Sequence, residues 1–194
     1  AVKLPIESQN DTVADGYYQL PDLGDSNLCI NCHSGLETGY SISSQATPAA
    51  GKSYSFKNSH YLNAGETMFR LGYQYSNLNY NDAWYFAHAD IGTSVGVSSL
   101  GSTSGPCVTC HMKNEESHTF EAVTKDTNGT ITAINSFDNV CSNCHSSSDL
   151  TATRLESLKT GLSNALDALK AALQAQGIYF NPETYPYFFT SATS

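Results

Sequence analysis

All six cysteines of this chain fall into one repeated pattern: CINCH at 29–33, CVTCH at 107–111 and CSNCH at 141–145. No other feature restricts the fold so tightly. Cysteines three apart lie about one helical turn from each other, so their sulfurs can form thioethers with the two vinyl groups along one side of a haem. The histidine that follows then faces the iron as its proximal ligand. Zinc sites set their histidines well downstream of the cysteines and apart from each other, and a thioredoxin-like dithiol requires a βαβ context that is not visible here. Disulfides between motifs would leave the three adjacent histidines unexplained. The expectation is three covalent c-type haems, held by Cys29, Cys32 and His33, by Cys107, Cys110 and His111, and by Cys141, Cys144 and His145.

Of six histidines, the motifs use three, which leaves His60, His88 and His118. Three irons need three further axial ligands, so the count predicts bis-histidine ligation throughout. Each spare histidine also has a plainer reading. His60 lies in the polar SFKNSHYL, where a solvated side chain is ordinary; His88 lies in AWYFAHAD, where it can be a packed core residue; His118 precedes a strand-like segment. Met112 adjoins a proximal histidine and cannot pass to the far face of its own haem, which leaves Met68 as the rival ligand. The order-preserving assignment gives His60 to the first haem and His88 to the second. His118 follows His111 by seven residues, about 23 to 25 Å when fully extended, and the path round a porphyrin edge is at least as long. It is expected to cross to the haem of Cys141 and Cys144 and so draw two haems together.

The remainder of the chain is read around these anchors. A formal charge of -9 and a pI near 4.9 argue against a nucleic-acid partner. No apolar run approaches the roughly 20 residues of a membrane span. The first residues lack a signal-peptide pattern, so an exported protein would be numbered after cleavage. The expected organisation is a single tri-haem domain over 1–194: an irregular lead-in at 1–28, a haem-binding core at 29–148, an amphipathic helix at 150–177 and an aromatic tail at 178–194. VGVSSLGSTSGP reads as a surface loop, and TFEAVTKDTNGTITAIN as a hairpin turning at Asn128-Gly129. Leu155, Leu158, Leu162, Leu166, Leu169 and Leu173 form one helical stripe, either core or a partner face, with Thr153 and Glu156 as a capping box and Gly177 as the stop. The tail GIYFNPETYPYFF must fold back or meet another chain, and the tyrosine-rich GYQYSNLNYNDAWYF is expected on haem faces. With 194 residues shared among three haems, the fold class is a mainly irregular multihaem cytochrome with a few α-helices, one long and C-terminal, and a small β-hairpin. Porphyrin is expected to make up much of its core.

The three motifs, the GPCVTCHM and SHTF pair, and the run from the C-terminal helix through GIYF to YPYFF resemble the exported multihaem c-type cytochromes of metal-reducing bacteria, over roughly Phe56 to Phe189. The resemblance implies electron transfer between haems and outward to redox proteins or extracellular acceptors, a place outside the cell or on its surface, and in some members assembly into filaments. Filled axial positions leave no site for a substrate, so outer-sphere electron transfer at low potential is the leading expectation. Two rivals stand beside it: a reductase with one five-coordinate haem acting on nitrite or peroxide, and a polymer subunit whose ligation crosses between copies.

Overall fold

The computed structural model describes residues 3–5, 17–58, 62–69, 87–101, 103–112 and 119–191. It divides into two compact units, Ala1–Phe120 and Glu121–Ser194. His60, His118 and most of the tyrosine-rich stretch lie outside the described residues.

In the first unit the lead-in is not wholly irregular: β1 (Lys3–Pro5) pairs antiparallel with β2 (Tyr17–Gln19), Leu4 opposite Tyr18. Helix α1 (Asn27–Cys32) follows a 3-10 turn at Gly24–Ser26. Asp22 sets that turn, accepting from Gly24 N–H at 3.0 Å and from the Asn27 amide at 2.6 Å. Buried Leu20, Leu23 and Ile30 make a small core on which Phe69 packs. Each such side chain contributes about 1.5 to 3 kcal/mol on burial, so this cluster alone is a modest anchor. Two short helices, α2 (Gly39–Ser43) and α3 (Ala64–Met68), follow, and Gly65 N–H donates to the His33 carbonyl at 2.7 Å.

The segment before α4 (Gly105–His111) is only in part the surface loop expected there: Val95, Ser99 and Thr103 are exposed, whereas Leu100, Gly105 and Pro106 are buried, with residues 103–105 packed onto 23–26. Asp25 N–H donates to Thr103 O at 2.8 Å and Ser26 N–H to Ser104 O at 3.1 Å. Glycine is required on both sides of the junction: a Cβ at Gly24 (φ +58°) would strike the Thr103 carbonyl, and one at Gly105 (φ +69°) the Leu23 carbonyl.

The second unit opens with the expected hairpin, β3 (Val123–Lys125) against β4 (Ile131–Ile134), with Val123 opposite Ile134. In its turn the Asp126 carboxylate accepts from Asn128 and Thr130 N–H at 2.8 and 2.9 Å, and Gly129 supplies a φ of +80°. Helix α5 spans Ala152–Ala175. Its N-cap is Thr151, which accepts from Arg154 N–H at 3.1 Å, and not the Thr153–Glu156 box. Thr153 already lies inside the first turn, and Glu156 is used elsewhere: it accepts from Ile131 N–H at 2.9 Å and meets Lys159 at 3.2 Å, while Lys159 reaches the Gly129 carbonyl at 2.7 Å. These bonds clamp the hairpin to the helix.

The helix stops as expected at Gly177 (φ +78°), where Ile178 N–H returns to Leu173 O and Gly177 N–H to Gln174 O. The aromatic tail folds back as β5 (Tyr179–Phe180) and β6 (Phe188–Phe189), with the Phe180 and Phe188 rings 5.3 Å apart and the Lys170 ammonium 5.2 Å from the Phe180 ring centre. The leucine stripe is not core: Leu158, Leu162, Leu166 and Leu169 are exposed, Leu162 to 63%.

The Ile131 N–H, and then Lys159, hold the Glu156 carboxyl below its ordinary value. A depressed folded pKa contributes stability that is present above the unfolded value and is lost as pH falls through the folded one. Glu156→Gln should therefore flatten part of the acid-side loss of stability, read as thermal unfolding across a series of acidic buffers. An unchanged acid profile in the variant contradicts the clamp.

Candidate haem-attachment sites

The first motif occupies α1 and its end: Cys29 and Cys32 are one turn apart, and His33 is the C-cap, its N–H donating to Cys29 O at 3.1 Å. A tight turn follows, with Gly35 and Leu36 both at positive φ, +82° and +68°. Gly35 lies against the side chain of Glu66, which is buried.

The second motif lies on α4, with Cys107, Cys110 and His111 in its last two turns. His111 Nδ1 is 2.7 Å from the Phe120 carbonyl. A carbonyl only accepts, so Nδ1 carries the proton and Nε2 keeps its lone pair. This is the arrangement an axial histidine needs, with the far ring nitrogen fixing tautomer and orientation. Phe120 has φ +60°, a conformation costly for a residue with a side chain, and it turns the carbonyl toward His111. Burial, and then the neighbouring Cys29 thiol, push the Cys107 thiol above its ordinary pKa, with Ser26 opposing. The first sulfurs of the two motifs are therefore neighbours.

The third motif is built differently. After β4 the chain turns through Ser136, and Val140 N–H and Cys141 N–H both donate to Ser136 O. Cys141–Asn143 is a 3-10 turn and not an α-helix, with Cys144 as its C-cap. In 3-10 geometry positions three apart eclipse each other, so the sulfurs are still offered on one side. His145 N–H closes the turn on Cys141 O at 2.8 Å. Burial pushes the Cys141 thiol up.

Of the spare histidines, His88 is described. It lies exposed on a 3-10 turn, Ala87–Asp90, that packs against α4. The turn is held there by Gly105 N–H donating to Gly92 O at 2.8 Å, and Gly92 lies against Thr109. The structure thus brings His88 to the helix of the second motif.

These donors fit haem c. None of the six cysteines is in a disulfide, and among the described residues no three His, Cys, Asp or Glu side chains converge on a bare metal ion. Five apolar side chains, Leu20, Leu23, Ile30, Leu100 and Val140, are buried among the described residues. Large apolar groups flanking the motifs, Leu28 (80%), Leu36 and Phe120, are exposed. A flat apolar prosthetic group suits such a surface. Sequence reasoning named every cysteine and histidine here but missed Ser26 and Phe120, whose contacts are made by a hydroxyl that reaches a distant helix and by a backbone carbonyl, neither of which leaves a motif.

Comparison with known proteins returns relatives of one kind. The chain is 41% identical over 172 residues to the C-type polyheme cytochrome OmcB of Geobacter sulfurreducens, in two strains, which covers 87% of this chain and 22% of that protein. It is 40% identical over 185 residues to the C-type polyheme cytochrome OmcC of the same organism, 94% of this chain and 23% of that protein. The chain thus spans about a fifth of the length of the curated relatives it matches. No protein-family model matches the chain. No solved structure matches it either.

Two glycines separate close approach from conformational freedom. Gly105→Ala brings a Cβ into the Leu23 carbonyl at positive φ and should cost at least about 2 kcal/mol. Gly129→Ala meets open space and should cost about 1 kcal/mol, the conformational part alone. Urea unfolding of both variants gives the comparison. Equal losses would mean that the junction between residues 23–26 and 103–105 is not tightly packed.

Proposed function

We propose that this chain, which belongs to the polyhaem c-type cytochromes, binds three covalent haems with histidine on both faces of each iron and moves single electrons between them. The observation that carries this reading is the set of three Cys-x-x-Cys-His turns, each with two cysteines outside any disulfide and the histidine directly after them. Haem bound there supplies a one-electron iron couple. Cys29 with Cys32, Cys107 with Cys110, and Cys141 with Cys144 hold the porphyrin edges. His33, His111 and His145 are the proximal ligands, and His111 is oriented by the Phe120 carbonyl.

His60, His88 and His118 are the distal ligands in this reading. His88, on the turn that packs against α4, is assigned to the second haem and His60 to the first. His118 stands two residues before Phe120, whose carbonyl is bonded to the proximal ring of His111. Two residues reach at most about 7 Å. A ligand for the far face must stand beyond both imidazoles, the iron and the porphyrin rim. His118 is therefore assigned to the haem of Cys141 and Cys144.

The chain's part is to fix haem spacing and tune potential, and its formal charge of -9 favours ferric iron and low potentials. Thioether attachment takes place outside the cytoplasm, so the reading includes export, with redox proteins or extracellular acceptors as partners.

Denatured protein should carry three haem masses that survive acid-acetone extraction. His118→Ala should turn the third haem high-spin and leave the second low-spin. A mass equal to the bare polypeptide ends this reading, and a second haem that turns high-spin ends the His118 assignment.

A further inference from the structure

Ser26 is the N-cap of α1, where a serine hydroxyl ordinarily accepts from its own helix, yet it makes no such bond. The hydroxyl crosses to α4. It donates to Ser104 O at 2.6 Å and accepts from Val108 N–H at 3.0 Å. Ser104, the N-cap of α4, likewise makes no cap bond with its side chain. One fully buried hydroxyl therefore terminates the second haem-binding helix from the start of the first. The close approach of residues 23–26 to 103–105, possible because Gly24 and Gly105 lack a Cβ, brings the two helices within reach of that single group. Cys29 comes three residues after Ser26, and Cys107 directly precedes Val108.

Resting on the reading of three covalent haems, we propose that Ser26 is a positioning residue that joins α1 to α4 so that the haems attached through Cys29 and Cys107 form one electronically coupled pair. An electron accepted at one of the two sites is released at the other, one iron being oxidised as its neighbour is reduced, with no atom or proton transferred.

Circular dichroism in the Soret band tests the pair, because two nearby porphyrins give a couplet of opposite signs that isolated haems lack. The full haem-loaded protein should show it. Cys141→Ala with Cys144→Ala, which removes the third haem, should retain a couplet, and Cys29→Ala with Cys32→Ala should abolish the part that remains when the third haem is absent. Ser26→Ala, with three haems still counted by mass and all low-spin, should lose most of the first–second contribution; Ser26→Thr, which keeps the hydroxyl, should retain it. Three haems with no couplet, or a couplet lost with the third haem alone, overturns the pair. A couplet indifferent to Ser26→Ala overturns the role of Ser26. Should Ser26→Ala fail to mature, the two haem deletions still decide the pairing. Fewer than three haems in the unmodified protein is a different failure, that of the underlying reading.

Discussion

The first unit depends on one backbone junction, where residues 23–26 meet 103–105. None of the six cysteines is in a disulfide and, in the proposed reading, all are reserved for porphyrin, so the polypeptide has no cross-link of its own. Among the described residues its buried apolar set is small. Order across some 80 residues of sequence therefore falls to hydrogen bonds that need close backbone approach: Asp25 to Thr103, Ser26 to Ser104, and Val108 to the Ser26 hydroxyl. Each is worth only about 1 kcal/mol net. Removing one partner costs more where the group left behind is buried, as Ser26 is. Glycine at 24 and 105 makes the approach possible, and two haem-binding helices are joined as a result.

The second unit uses the same principle with other residues. Thr151 caps α5, which frees Glu156 to take the Ile131 N–H and, with Lys159, to clamp the hairpin. The third motif then follows the hairpin on a 3-10 turn closed on Ser136 and Cys141 carbonyls. In each unit a polar side chain whose obvious local partner lies in its own helix is diverted to a distant strand or helix. Short elements with little apolar surface are stabilised this way because hydrogen bonds, unlike apolar packing, do not need a thick core.

What could be read from the sequence follows from the kind of signal each feature leaves. The cysteines and their histidines are covalent chemistry at fixed spacing, and the hairpin, the long helix and the Gly177 stop are local, so all were legible. The capping box was misplaced by two residues because Thr151 and Thr153 are equivalent as letters; Glu156 distinguishes them only through its bond to Ile131, 25 residues away. The loop before the second motif looked solvated because Gly, Ser and Thr also serve where backbones touch. Its apolar letters did not discriminate either, since Leu100 is buried and Val95 exposed. The leucine stripe was periodic whether covered or not, so periodicity could not tell core from exposed face. Phe120 left no trace, since its contribution to His111 is a carbonyl.

In the proposed reading histidine fills both axial positions of every haem, so the chain carries electrons and leaves no iron open to a substrate. Adding carbon monoxide to the fully reduced protein tests it most directly. The account predicts a Soret spectrum unchanged by the gas. A carbon monoxide complex on one haem of the unmodified protein would contradict it and would identify a five-coordinate iron open to small molecules.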